Sequence, residues 1–175
     1  EAQRLVDVLK KCDEALNQGK PVRSIAFSKE EQAVLKPLCL ITAKPAMFVA
    51  NVAEDGFTNN PYLDKLRAYA ETQKAPVVPI CARIESELSE MSDEDRNEFL
   101  KEMGLDGPGL SRLIRAGFSL LGLQTYFTAG VKEVRAWTIH KCDTATQAAA
   151  AIHTDFEKGF IRAETIPFDD FVTFK

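Results

Sequence analysis

Met47-Phe48-Val49-Ala50-Asn51-Val52, which follows Pro45, and Pro76-Val77-Val78-Pro79-Ile80 are two short runs of nearly continuous apolar character. Such runs suit strands covered on both faces rather than strands with one wet face. Between them Asn59-Asn60-Pro61 supplies a helix start, with Pro at the first helical position. Tyr62, Leu66, Tyr69 and Ala70 then recur at helical spacing and are expected to face the core. Strand, crossover helix and strand make a parallel β-α-β unit, which places the chain in the α/β class.

On the N-terminal side, Leu5, Leu9, Cys12 and Leu16 mark one face of a helix that Gly19 ends. So narrow a stripe suits a helical hairpin or short coiled coil. Ser28-Lys29-Glu30-Glu31 reads as a capping box, and Pro37 is expected to bend or break the helix it opens. On the C-terminal side, Ser92 caps a helix carrying Phe99, Leu100 and Met103. Leu110, Leu113, Ile114, Phe118 and Leu121 form the apolar face of another.

After Leu123 the pattern turns mainly to β. Residues 124–129 and 134–139 alternate and are linked by Gly130-Val131-Lys132-Glu133, the signature of a hairpin. Thr144-Ala145-Thr146-Gln147 is a second capping box that opens an Ala-rich helix over 145–152, and Phe160–Ile166 is expected to be a further strand. Hairpin, helix and strand begin a β-grasp module. Glu1 falls inside a helical pattern, and Lys175 follows directly on the apolar Phe171-Val172-Thr173-Phe174. The chain is therefore expected to be a fragment, with an open sheet edge and a poorly ordered region near Phe171 and Phe174.

The 175 residues are 45% hydrophobic and 27% charged, with a formal charge of −4. This balance argues against a whole-chain electrostatic grip on nucleic acid, and DNA is not expected as a partner. The four cysteines form no C-x-x-C pair, and with two histidines they lack zinc-ligand spacing; free thiols in a reducing compartment are the plain reading. No apolar run approaches the ~18 residues of a membrane span, so neither a membrane nor a location outside the cytosol is expected.

In an open parallel sheet, ligands bind in the crevice outside the C-terminal strand ends. Asn51-Val52-Ala53-Glu54 stands at one such end and Cys81-Ala82-Arg83 at the next. P-loop GTPases place their two base-reading motifs, Asn-Lys-x-Asp and Ser-Ala-Lys, in this arrangement. Here Val52 stands in place of the Lys, and Glu54 is one methylene longer than the Asp. A displaced carboxylate cannot accept both guanine ring-edge donors, and each buried polar group left unpaired costs ~1–3 kcal/mol. Adenine needs one acceptor and one donor, which the backbone carbonyl and amide of Val52 are expected to supply.

Lys44-Pro45-Ala46-Met47-Phe48-Val49-Ala50-Asn51-Val52-Ala53-Glu54-Asp55-Gly56 resembles the adenine-reading segment of the YchF-type Obg-like ATPases. Gln124–Gly130 and Val134–Ile139 resemble the start of that family's TGS domain. His153-Thr154-Asp155-Phe156-Glu157-Lys158-Gly159-Phe160-Ile161-Arg162-Ala163 resembles its most recognisable stretch. The resemblance implies a fold: the C-terminal part of a P-loop, G-domain-like parallel sheet with a helical arm, followed by an incomplete β-grasp (TGS) domain. It also implies a partition into a helical arm (1–43), a nucleotide-binding part (44–123) and a truncated TGS part (124–175).

The function implied is that of a cytoplasmic, ribosome-associated ATPase. It would hydrolyse ATP in preference to GTP with Mg²⁺, with the ribosome and ribosomal RNA as partners. The chain carries no G-x-x-x-x-G-K-[ST], and on the resemblance the magnesium and switch segments precede residue 1. No catalytic residue carries over, and the fragment alone is not expected to be active. The residues implied at the base site are Asn51, Val52 and the altered position Glu54, with Cys81 and Ala82 beside them. A non-catalytic ribosome- or RNA-docking role through the TGS part is the alternative. Trp137 reads more plainly as a sheet residue, and His153 as a helix-end cap. Arg135, Lys141, Lys158 and Arg162 read as solvated charges, because residues 124–175 hold six Lys/Arg against seven Asp/Glu.

Overall fold

A computed structural model describes residues 2–105 and 107–174, which divide into two compact units between Leu120 and Leu121.

In the first unit, α1 (Ala2–Asn17) buries Val8 and Cys12 against Val22 and Leu35. The buried stripe runs through Leu5, Val8, Cys12 and Ala15, so the expected face through Leu9 and Leu16 is displaced by one position. Both are exposed, at 40% and 45%, because this helix is apolar on two sides and only packing selects between them. α2 (Lys29–Leu35) opens on the expected capping box: the Glu31 N–H donates to the Ser28 hydroxyl at 3.2 Å, and the Ser28 N–H donates to the Glu31 carboxylate at 2.9 Å. It ends in a 3₁₀ turn around Pro37.

β1 (Phe48–Asn51) pairs in parallel with β2 (Val77–Ile80), in a register from Phe48 opposite Val77 to Asn51 opposite Ile80. The crossover is α3 (Pro61–Thr72), in which the Asn60 Oδ1 accepts from the Tyr62 and Leu63 amides. Its inward face is Leu63, Leu66 and Ala70. Tyr62, expected to face the core, is 82% exposed. An aromatic one position from the buried stripe reads as core in a linear pattern but lies about 100° around the helix.

α4 (Ala82–Glu90) begins directly after β2 and has no counterpart in the sequence reading, although Ile84 and Leu88 are spaced for one buried face. These two residues, with Cys81 and Leu100, form a second core cluster lined by Phe57, Met91, Phe99 and Leu105. α5 (Asp93–Glu102) is capped by Ser92. α6 (Gly109–Leu120) covers the expected span, yet Leu110 and Ile114 of its apolar face are exposed.

In the second unit, β3 (Leu123–Ala129) and β4 (Val134–His140) form an antiparallel hairpin with Tyr126 opposite Trp137. α7 (Ala145–Ile152) starts at the Thr144–Gln147 capping box. The Tyr126 hydroxyl donates to the Ala148 carbonyl at 2.8 Å, which ties this helix to the sheet. α8 (Thr154–Lys158) follows, and α9 (Phe168–Thr173) sets Phe168 against Phe127 at 5.7 Å between ring centroids. The expected strand over 160–166 does not form: the segment has no ladder partner among the described residues, and Ile161 is 90% exposed. A β-rich composition favours extended backbone, but only hydrogen bonds to a neighbouring edge make a strand of it.

Candidate base-recognition site

Because β1 and β2 are parallel, their C-terminal ends lie at one edge of the unit. The ladder continues one step beyond β1, where the Val52 N–H donates to the Ile80 carbonyl at 2.8 Å. Asn51 then reaches sideways: its Oδ1 accepts from the Ala82 N–H at 3.1 Å. Ala82 is the first residue of α4, so its amide is one of the donors that a helix start leaves without an intrahelical partner. Cys81, at the cap position, offers no side-chain bond. A carboxamide from the neighbouring strand supplies the cap instead. With Oδ1 on the amide, the Nδ2 end of Asn51 remains a donor for another group.

Glu54 is exposed and pairs with Arg83, Oε1 to Nε at 3.2 Å, and the same guanidinium nitrogen lies 3.2 Å from Glu87. Beyond Glu54 the chain turns tightly, with the Gly56 N–H donating to the Ala53 carbonyl at 2.9 Å. A Cβ on Gly56 would sit 3.1–3.2 Å from Ala53 backbone atoms and the Val52 Cβ, so the close turn favours glycine. The Asn60 Nδ2 donates back to the Gly56 carbonyl at 3.0 Å while its Oδ1 caps α3. One side chain thereby anchors the loop to the crossover helix.

The five residues expected at this site sort as follows. Asn51 and Ala82 are directly bonded, and Val52 is joined to β2 through Ile80. Glu54 stands at the rim with Arg83. Cys81 is buried and packs into the second core cluster. The expectation that the Val52 amide would face a base is overturned by the ladder, which engages that N–H in the sheet. The Val52 carbonyl and the Asn51 carboxamide remain as the acceptor and donor for a purine edge. The residues fit the base of a nucleotide; among the described residues no cluster of three or more His, Cys, Asp or Glu suits a metal ion.

Sequence reasoning missed the supports of this edge. Glu85 on α4 accepts from the Gly109 and Leu110 amides of α6 at 2.7 and 3.1 Å. Arg112 donates through Nη2 to the Pro79 carbonyl at 3.2 Å, with its guanidinium 5.7 Å from the Phe57 ring centroid. The hydrogen-bonded partners are 24 to 33 positions apart, beyond the reach of any local pattern.

In the second unit, the Trp137 Nε1 donates to the Thr128 hydroxyl at 2.9 Å, and Arg135 lies over its ring at 4.4 Å. The His153 Nδ1 accepts from the Asp155 N–H at 3.1 Å, so this imidazole caps α8.

Comparison with known proteins adds lineage to this geometry. Residues 123–175 match the family YchF-GTPase_C, described as a protein of unknown function (DUF933). "Ribosome-binding ATPase YchF" of Escherichia coli O157:H7 is 55% identical over all of this chain and 48% of the relative. The protein of that name from Bacillus subtilis (strain 168) is 48% identical over 94% of this chain and 46% of the relative. The solved Schizosaccharomyces pombe YchF GTPase superposes with a TM-score of 0.79 at 33% identity, over 89% of this chain and 42% of that one. The chain is homologous to YchF proteins across its own length, and it spans about half the length of the curated relatives it matches.

Proposed function

We propose that this chain, as a YchF homologue, is the base-reading and C-terminal part of a cytoplasmic, ribosome-associated ATPase of the Obg-like group, one that takes ATP in preference to GTP. Residues 44–123 would form the end of the nucleotide-binding domain, residues 1–43 a helical arm, and residues 124–175 part of a TGS domain. The observation that carries this reading is the meeting of Asn51 and Ala82 at adjacent parallel strand ends, with the Glu54 carboxylate drawn to Arg83. Adenine would donate its amine to the Val52 carbonyl and accept from the Asn51 Nδ2. Glu54, one methylene longer than the Asp of the guanine-reading motif and paired with Arg83 through Oε1, would present guanine a displaced carboxylate. Phosphates and Mg²⁺ would be held by residues other than these.

The test is a titration with fluorescent ATP and GTP analogues in Mg²⁺, on the native protein and on the double variant Val52→Lys, Glu54→Asp. Tighter ATP binding by the native protein, and a shift towards GTP in the variant, support the reading. An unchanged ATP-to-GTP ratio in a folded variant overturns the proposed way of reading the base.

A docking role for the second unit is the other reading, prompted by the name "Ribosome-binding ATPase YchF" that the similar proteins carry. It predicts salt-sensitive co-sedimentation with ribosomes that weakens in Arg162→Ala. Sedimentation unaffected by salt or by that substitution counts against it.

A further inference from the structure

Helix α4 carries the amide that Asn51 holds, yet its first turn has no cap of its own at Cys81. The nearest strong restraint is one turn further on. Both oxygens of the Glu85 carboxylate are engaged by the start of α6, with the Gly109 N–H at 2.7 Å and the Leu110 N–H at 3.1 Å. Hydrogen bonds to an ionised acceptor are about twice as strong as neutral ones, and the positive end of a helix favours the negative charge. Gly109 is buried and close-fitting: a Cβ there would stand 2.6 Å from the Glu85 Oε1 and 3.1 Å from the Ile80 Cγ2. The same helix reaches β2 through Arg112 and the Pro79 carbonyl. Arg112 thus joins α6 to β2, Glu85 joins α6 to α4, and the Ala82 amide joins α4 to Asn51 at the end of β1.

We propose that Glu85 is a positioning residue for the base site: by clamping the first turn of α6 it fixes the start of α4, so that the Ala82 amide holds the Asn51 carboxamide in place to meet a purine. The proposal rests on the reading of Asn51 as a base contact. Glu85 itself touches no ligand in this scheme. A second carboxylate on the same helix, Glu87, faces Arg83 at the exposed rim instead, with its Oε1 3.2 Å from the Arg83 Nε.

Two measurements on Glu85→Ala and the near-isosteric Glu85→Gln test it. The first is amide hydrogen exchange at Ala82, read against Leu63 of α3 as a distant control in the same unit. The second is affinity for a fluorescent ATP analogue. Glu85→Ala should speed exchange at Ala82 by about tenfold and weaken ATP binding by a similar factor, with Leu63 unchanged. Glu85→Gln keeps one acceptor and should fall between the two.

A merely structural role would lower the melting temperature and speed Ala82 and Leu63 alike; that result overturns the proposal, as does unchanged exchange at Ala82. Should Glu85→Ala fail to fold, the Gln variant carries the same comparison. If the native protein binds no ATP analogue, the base reading falls, and the link from Glu85 to ligand binding falls with it. Exchange at Ala82 still decides whether Glu85 holds the start of α4.

Discussion

The Asn51 Oδ1 accepts the Ala82 N–H across 3.1 Å, so the end of one strand caps the helix that follows its neighbour, 31 positions along the chain. Two functions of the carboxamide can therefore be separated by substitution. Asn51→Asp keeps an oxygen for the amide but loses the Nδ2 donor, whereas Asn51→Ala loses both. In urea titrations Asn51→Ala should cost about 1 kcal/mol and Asn51→Asp much less. Both should weaken an ATP analogue by roughly tenfold. Full affinity in a folded Asn51→Asp protein would remove Asn51 from the base site.

Gly109 is constrained by its neighbours rather than by its backbone. A methyl group there meets Glu85 and Ile80, and displacing Glu85 breaks the bond that holds it. Gly109→Ala should destabilise the first unit by about 1–3 kcal/mol, even though alanine is the better helix former. Chemical denaturation followed by far-ultraviolet circular dichroism reads this directly. A stabilised variant would show that α6 can move away without loss.

Lys11 on α1 and Glu31 on α2 form an ion pair at the surface of the first unit. The hydrogen bond from Lys11, then that from the Ser28 amide, hold the Glu31 carboxyl below its ordinary value; the same pairing raises the Lys11 ammonium. The Glu31 contribution is therefore complete above the ordinary glutamate range and fades as pH falls through the lowered folded value. The Lys11 contribution is complete below the ordinary lysine value and fades as pH rises through the raised one. Urea midpoints measured from neutral to acid pH should fall less steeply in Glu31→Gln than in the native protein. Molar salt should narrow the difference, since both groups face solvent.

The four cysteines divide by burial: Cys39 and Cys142 are exposed, whereas Cys12 and Cys81 are buried. Burial also pushes the Cys12 thiol up, leaving less thiolate at neutral pH. A thiol reagent should modify Cys39 and Cys142 rapidly in the folded chain, and Cys12 and Cys81 only as the chain opens. Peptide mapping after brief labelling distinguishes the two pairs. Rapid labelling of Cys12 would mean that α1 leaves its seat readily.

Signals that act within a few residues were legible in the order of amino acids. The Ser28–Glu31 and Thr144–Gln147 boxes, the Asn60-Pro61 helix start, the turn between β3 and β4 and the two apolar runs at β1 and β2 all specify local backbone through steric limits and short-range hydrogen bonds. Those features were enough to place Asn51 and Ala82 at neighbouring strand ends. Tertiary structure alone decided which side of α1 is buried, that 160–166 pairs with no edge among the described residues, and that the Val52 amide stays in the ladder. It also decided that Glu85, Gly109 and Arg112 brace the site from other elements. The physical reason is common to all of these: each depends on which surface arrives opposite a residue from far along the chain, and spacing within a helix or strand carries no information about that partner.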